Sequence, residues 1–192
     1  VHVIWFALIL VGTSVASVDA LHGALASAIA HDTRRLLTRS TSAAAWKAAL
    51  RQRLIDGHTA ALLAGTADRL GVRVGGAALN TRNLSRAERA DIARAVAEQL
   101  AYLDRFAAAL DGLSDRQIAA RAASYAASVT ATYWRAAAPN LPFYPGDGQT
   151  SCLTHCTCRW EKRDDGGYAW VLGDTEHCDG CRQRAAGGPY AA

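Results

Sequence analysis

Apolar positions recur at helical spacing over most of the first 138 residues. Between Ser17 and Arg39, Leu21, Leu25, Ile29, Leu36 and Leu37 fall near one face, while Asp32, Arg34 and Arg35 lie elsewhere, which predicts a helix. Ser40-Thr41-Ser42 interrupts it and offers an N-cap. A second helix is predicted from about Ala43 to Leu70, burying Trp46, Leu50, Leu54, Leu62 and Leu63. Its Gly57 and Gly65 either weaken it or let a neighbour come close. Gly71 and Gly75-Gly76 mark a loop. Ser85-x-x-Glu88 then reads as a capping box, followed by the stripe Ile92, Val96, Leu100, Leu103, Phe106 and Leu110. Ser114-x-x-Gln117 is a second box, with Leu113 and Ile118 as a hydrophobic staple and Ala122, Tyr125, Val129 and Tyr133 as its stripe. The short Asp111-Gly112 connection predicts that these last two helices, over residues 85–136, pack as an antiparallel pair.

The periodicity changes at Pro139, Pro142 and Pro145, which end helix formation and predict an extended linker. Beyond it, Thr157–Glu161 and Tyr168–Leu172 read as strands, and Asp164-Asp165-Gly166-Gly167 supplies turn chemistry for a hairpin. At the other end, Val3 to Val18 is an uncharged apolar run. It is shorter than the ~20 residues of a membrane-spanning helix and has no Lys or Arg before it, as a signal peptide would. The chain begins with Val and contains no Met, so this end reads as a GTG start or a frame opened too far upstream. A genuine membrane segment is the alternative.

Composition adds little specificity. Of the 192 residues, 51% are hydrophobic, much of that alanine, which favours helices that approach closely. The formal net charge of +4 permits contact with nucleic acid or an acidic protein surface without requiring either. Residues 151–192 hold five Lys/Arg and six Asp/Glu, so the excess lies upstream. There is no phosphate-cradling Gly-Lys-Ser/Thr loop, no His-Glu-x2-His and no Gly-x-Ser-x-Gly.

The candidate chemistry is concentrated near the end of the chain. All five cysteines fall there: Cys152, Cys156, Cys158, Cys178 and Cys181, with His155 and His177 beside two of them. They form two half-sites, Cys152-x3-Cys156-x-Cys158 and His177-Cys178-x2-Cys181. A hairpin that brings both together is the plan of a zinc ribbon, with tetrahedral zinc as a structural cofactor. One zinc per chain is expected, held by Cys152, Cys156 or Cys158, Cys178 and Cys181. His177 is a further candidate, as ligand or as a group beside the ligands, with Glu176 orienting it. Three alternatives compete. Disulfides leave one thiol over. A redox Cys-Asp-Gly-Cys lacks its βαβ context. A nucleophilic cysteine would meet its histidine through the fold and not as a sequence neighbour. Tyr168 and Trp170 are candidate interface anchors, with packing the preferred role for Trp170.

The order Leu141-Pro-x-Tyr144-Pro-Gly-Asp-Gly, Cys152-x3-Cys156-x-Cys158-x-Trp160 and Trp170-x-Leu172-Gly173-x2-Glu176-His177-Cys178-x2-Cys181 resembles the C-terminal part of minor head (head-morphogenesis) proteins of tailed bacteriophages. The upstream Tyr102-Leu-Asp-Arg-Phe106 and Leu113-Ser-x3-Ile118-x2-Arg121-Ala122 are similar to the helical part of that family, so the resemblance spans about Leu84 to Tyr190. It implies a non-enzymatic, structural role in procapsid assembly, in the virion or the host cytoplasm. Portal or coat protein would be the partner, DNA at most a weak one, and no small-molecule substrate is implied. The expected architecture is mainly α: an apolar segment (1–18), a helical domain (19–138), a Pro/Gly linker (139–150) and a zinc module (151–192). The proline-rich linker would act as a semi-rigid spacer. Two other function classes stand beside this one, a zinc-dependent nucleic-acid-binding protein and a membrane-anchored envelope protein. A slightly acidic module argues against the first.

Overall fold

The computed structural model describes residues 18–71, 85–152, 156–174 and 176–191. The apolar run before Val18, the Gly75-Gly76 loop and His155 lie outside them. As expected, the fold is mainly helical with one small antiparallel hairpin near the C-terminus. Helix α1 spans Val18–Leu37 and α2 Ala43–Leu70; α3 spans Arg86–Ala108, α4 Asp115–Ser124 and α5 Ser128–Ala137. Strands β1 (Arg159–Lys162) and β2 (Tyr168–Val171) follow, and then α6 (Asp179–Ala186).

Local signals place the helix ends. Ser42 caps α2 by accepting the Ala45 N–H, and Gly71 closes it in the left-handed region at φ 63°. Both capping boxes form with both of their hydrogen bonds, Ser85 with Glu88 at α3 and Ser114 with Gln117 at α4. Helix α1 ends in a Schellman pattern, with Ser40 N–H donating to the Arg35 carbonyl and Arg39 N–H to that of Leu36. The left-handed position belongs to Arg39, at φ 58°. The second capped segment is not one continuous helix, because a 3₁₀ turn at Tyr125–Ala127 separates α4 from α5.

Helix α2 is the central element. It packs against α1, α3 and, most extensively, α5. The helices at residues 86–108 and 115–137 do turn back on each other through a 3₁₀ turn at Leu110–Gly112. They are nevertheless not primarily a pair, since α3 and α5 dock chiefly on α2 and α4 on α1. The reason is the small-residue face of α2. A Cβ at Gly65 would run into the Tyr133 carbonyl oxygen, and one at Gly57 would stand 2.9 Å from a Leu25 methyl. These glycines therefore serve close approach, which lets the α5 backbone lie directly against α2. At the other end Trp46, 1% exposed, meets Phe106 edge-on at 5.5 Å, and Phe106 stacks on Tyr125 at 6.2 Å. Asp32 is buried instead of solvated, with Arg53 Nε at 3.0 Å from its carboxylate, and Thr33 accepts the Trp46 indole N–H.

The stretch 139–150 is not a free spacer. Leu141 is buried, and the Tyr144 hydroxyl donates to the carbonyls of Ala138 and Pro139. Asp147 accepts the N–H groups of Tyr144 and Gln149, which folds Pro145-Gly146-Asp147-Gly148 into a tight loop with both glycines at positive φ. The Phe143 carbonyl accepts the Trp160 indole N–H, and the Phe143 ring lies 5.6 Å from Trp160 and 5.3 Å from Trp170. Trp134 of α5 meets Tyr168 of β2 at 6.1 Å. One hydrophobic core therefore runs from α1 through the linker into the hairpin.

Candidate metal centre

The hairpin sets the two half-sites side by side. β1 and β2 pair in antiparallel register with Trp160 opposite Trp170, and these rings touch edge-to-face at 5.1 Å. Gly166 takes φ 83° in the turn, and Asp165 accepts the Gly167 N–H. Cys156 and Cys158 lie just before β1. After β2 the chain crosses back at Gly173, where a Cβ would stand 2.5 Å from the Thr157 carbonyl oxygen. It then delivers His177 and Cys178 to the start of α6. Cys178 is the N-cap of α6, and Cys181 sits fully buried in its first turn. α6 was not anticipated, because its eight residues bury only Cys181 and show almost no apolar periodicity. Its sequence does carry Asp179 in the first turn and Arg184 in the last, which suits the helix dipole.

All five cysteines are free thiols and converge. Cys152 Sγ lies 3.6 Å from Cys181 Sγ and 4.0 Å from Cys178 Sγ, and Cys156 Sγ lies 3.7 Å from Cys181 Sγ. Two thiolates on one tetrahedral zinc stand about 3.8 Å apart, from Zn–S bonds of about 2.3 Å. Within 4.8 Å of one another the donors form two triads, Cys152–Cys178–Cys181 and Cys156–Cys158–Cys181. The cysteine cluster can thus hold a metal ion, and its residues fit one in charge type and spacing.

His177 stands at the edge of this cluster. Its Nε2 lies 2.8 Å from the Gly173 carbonyl oxygen, which can only accept, so Nε2 carries the proton and Nδ1 keeps its lone pair. That Nδ1 faces Cys158 Sγ at 3.6 Å. A carbonyl holding the far nitrogen is the usual arrangement around a metal-binding histidine. It is Gly173, not Glu176, that orients the ring. Thr150 Oγ1, unnoticed in the sequence, lies 3.0 Å from Cys152 Sγ.

Burial pushes the Cys156 thiol up to about 12 and raises Cys181 further still, the thiol of Cys152 adding to the effect there. Cys178, at the helix N-terminus, is pulled down to about 6, first by the Cys181 backbone N–H. The nearby cations are engaged elsewhere: Arg159 with Glu161, Arg182 with Asp179 and Arg184 with Asp147. Buried thiols so placed resist ionisation by themselves, and a bound dication removes that resistance, since a coordinating thiol gives up its proton.

The candidate anchors of the hairpin are packed, not exposed. Tyr168 is 9% and Trp170 3% exposed. The Arg184 guanidinium lies over the Phe143 ring at 4.2 Å and the Trp170 ring at 5.2 Å, completing the aromatic wall beside the thiols. Compared with known proteins, the chain matches no family model, no curated protein and no solved structure.

Proposed function

We propose that this chain is a structural head-morphogenesis protein of tailed bacteriophages, and that structural zinc closes its C-terminal hairpin. The convergence of five free thiols from both half-sites, at the edge lengths of a zinc–thiolate tetrahedron, supports the zinc. Zinc suits an all-thiolate or thiolate–imidazole set better than hard oxygen-seeking cations do. The metal's task here is mechanical. A four-residue two-strand ribbon is too small to be stable alone, and the ion ties its two ends to α6.

The assembly role rests on the motif order around that centre, which resembles the minor head family. The protein would act through its surfaces on portal or coat protein, in the virion or the host cytoplasm, and turn over no substrate. Buried His58 agrees with a structural reading. Its ring nitrogens sit 2.8 Å from the Thr132 hydroxyl and 3.3 Å from that of Ser128, and Ser128 itself donates to the Tyr125 carbonyl, so the hydroxyl is not poised as a nucleophile. Among the described residues no helix is long and apolar enough to cross a membrane.

The test is co-expression with portal, scaffold and coat proteins of a tailed phage whose head genes adjoin this one, followed by particle purification. The chain is expected to sediment with procapsids, and to be lost from them when purification includes a strong chelator. A chain that stays at the top of the gradient in every combination overturns the assembly reading.

A further inference from the structure

We propose that the cysteine cluster takes two metal ions bridged by the Cys181 sulfur; this rests on the metal reading of the same site. A single tetrahedral ion needs four donors that are all neighbours of one another. Among the described residues the cluster instead divides into two triads, and Cys181 is the member they share. In the first triad, Cys181 lies 3.6 Å from Cys152, which lies 4.0 Å from Cys178. In the second, Cys181 lies 3.7 Å from Cys156, with Cys158 completing the set.

Each triad has the makings of its own coordination sphere. The second has a fourth donor at hand, since the His177 Nδ1 lone pair faces Cys158 Sγ at 3.6 Å and is released when that thiol gives up its proton. A sulfur and an imidazole nitrogen on one tetrahedral zinc stand about 3.5 Å apart, from bonds of about 2.3 and 2.0 Å, close to this distance. His177 meets this spacing at Cys158, and serving as fourth donor would require it to swing toward Cys156 and Cys181. The first triad would need a fourth donor from solvent, and the Thr150 hydroxyl lies 3.0 Å from the Cys152 sulfur, where it could donate to a thiolate.

Charge is compatible with this count, since five thiolates around two dications leave a single negative charge. Arg159, Arg182 and Arg184 each already face a carboxylate. Cys181 is placed to bridge, being 0% exposed and held at the first turn of α6 with Cys152 Sγ at 3.6 Å and Cys156 Sγ at 3.7 Å. Binding replaces each S–H proton by a metal–sulfur bond and releases the protons to solvent. No oxidant or reductant is required.

The experiment is a titration of the full-length, reduced, metal-free chain with zinc and with cobalt, read by native mass spectrometry and by the sulfur-to-cobalt charge-transfer bands. Two equivalents per chain are expected. NMR of the cadmium form is expected to show two resonances coupled to each other through the shared sulfur. Cys158→Ser should give up one equivalent and one resonance while keeping the other, and Cys152→Ser should do the converse. Wild-type saturation at one equivalent, with Cys158 still open to alkylation, overturns the bridged pair and leaves a single structural ion. Binding of no metal at all overturns both. The wild-type stoichiometry decides the matter even where a variant fails to fold.

Discussion

Single residues carry more of this fold's constraint than their types suggest. Arg39 occupies the left-handed position that ends α1, where an L side chain is strained and glycine is not. Arg39→Gly is expected to stabilise the protein by about 0.5–1 kcal/mol, read as a higher denaturant midpoint at unchanged slope. Gly65 is the opposite case, because its missing Cβ is what lets the Tyr133 carbonyl rest on α2. Gly65→Ala should cost about 2 kcal/mol or more despite alanine's better helix propensity, since backbone must move to admit the methyl group. The sequence shows that Gly65 falls within a helix but not the sign of its effect. Which of the two readings holds depends on what stands opposite, and that is a tertiary fact.

At the scale of elements, the capped helices were legible because capping is local. The Ser85–Glu88 and Ser114–Gln117 bonds close within three residues, and the buried stripes Leu21–Leu25–Ile29 and Trp46–Leu50–Leu54 follow from spacing alone. The hairpin was legible for the same reason, its turn and its alternating aromatics being contiguous. Partner choice was not, because an alanine- and glycine-rich face such as Ala60–Ala61–Ala64–Gly65 names no particular neighbour. His58 lies at this unforeseen seam between α2 and α5, nearly unexposed, and burial lowers its pKa to about 4, with Arg135 adding to the effect. Its folded value thus lies below the ordinary 6.5, so the unfolded chain binds the proton more tightly. This contribution to stability is fully present above about pH 6.5 and declines as the pH falls toward 4, by on the order of 3 kcal/mol in total. His58→Gln, with an amide able to bond both hydroxyls, should flatten that part of the stability–pH curve relative to wild type. Parallel slopes for the two proteins between pH 4 and 6.5 would rule the account out.

For the whole molecule, the continuous core decides how the parts depend on each other. The expectation of an extended spacer came from three prolines, and proline content reports backbone stiffness without reporting what the intervening Leu141 and Phe143 touch. Among the site residues, the five cysteines and His177 are all brought into one neighbourhood, because clustered ligand types are visible in any sequence. The carbonyl of Gly173, the Thr150 hydroxyl and the Arg184 guanidinium were hidden, since backbone atoms and common side chains acquire a role only through position. Chelation of the metal should therefore act unequally. The near-ultraviolet dichroism of Trp160 and Trp170 is expected to collapse, while far-ultraviolet helical signal stays largely intact because the contacts of α2 with α1, α3 and α5 do not pass through the thiols. A cooperative loss of both signals at one chelator concentration would show instead that the helices cannot stand without the ion.

The ring of Trp134 against Tyr168, and of Phe143 against both hairpin tryptophans, also bears on how such a chain can be recombined. A crossover at Pro139, where composition changes most sharply, would sever Trp134 from Tyr168 and leave each half facing a stranger's surface. Inheritance of the cysteine hairpin as an exchangeable cassette would require α5 to travel with it. Since α5 lies against the glycines of α2 with no room for a methyl group, α2 would have to follow. Chimeras joined between α2 and α3, in the stretch near Gly75, keep the linker and hairpin together but still part α2 from α5. The chain should accordingly tolerate gradual co-variation across these seams far better than the wholesale swapping that its apparent two-part layout invites.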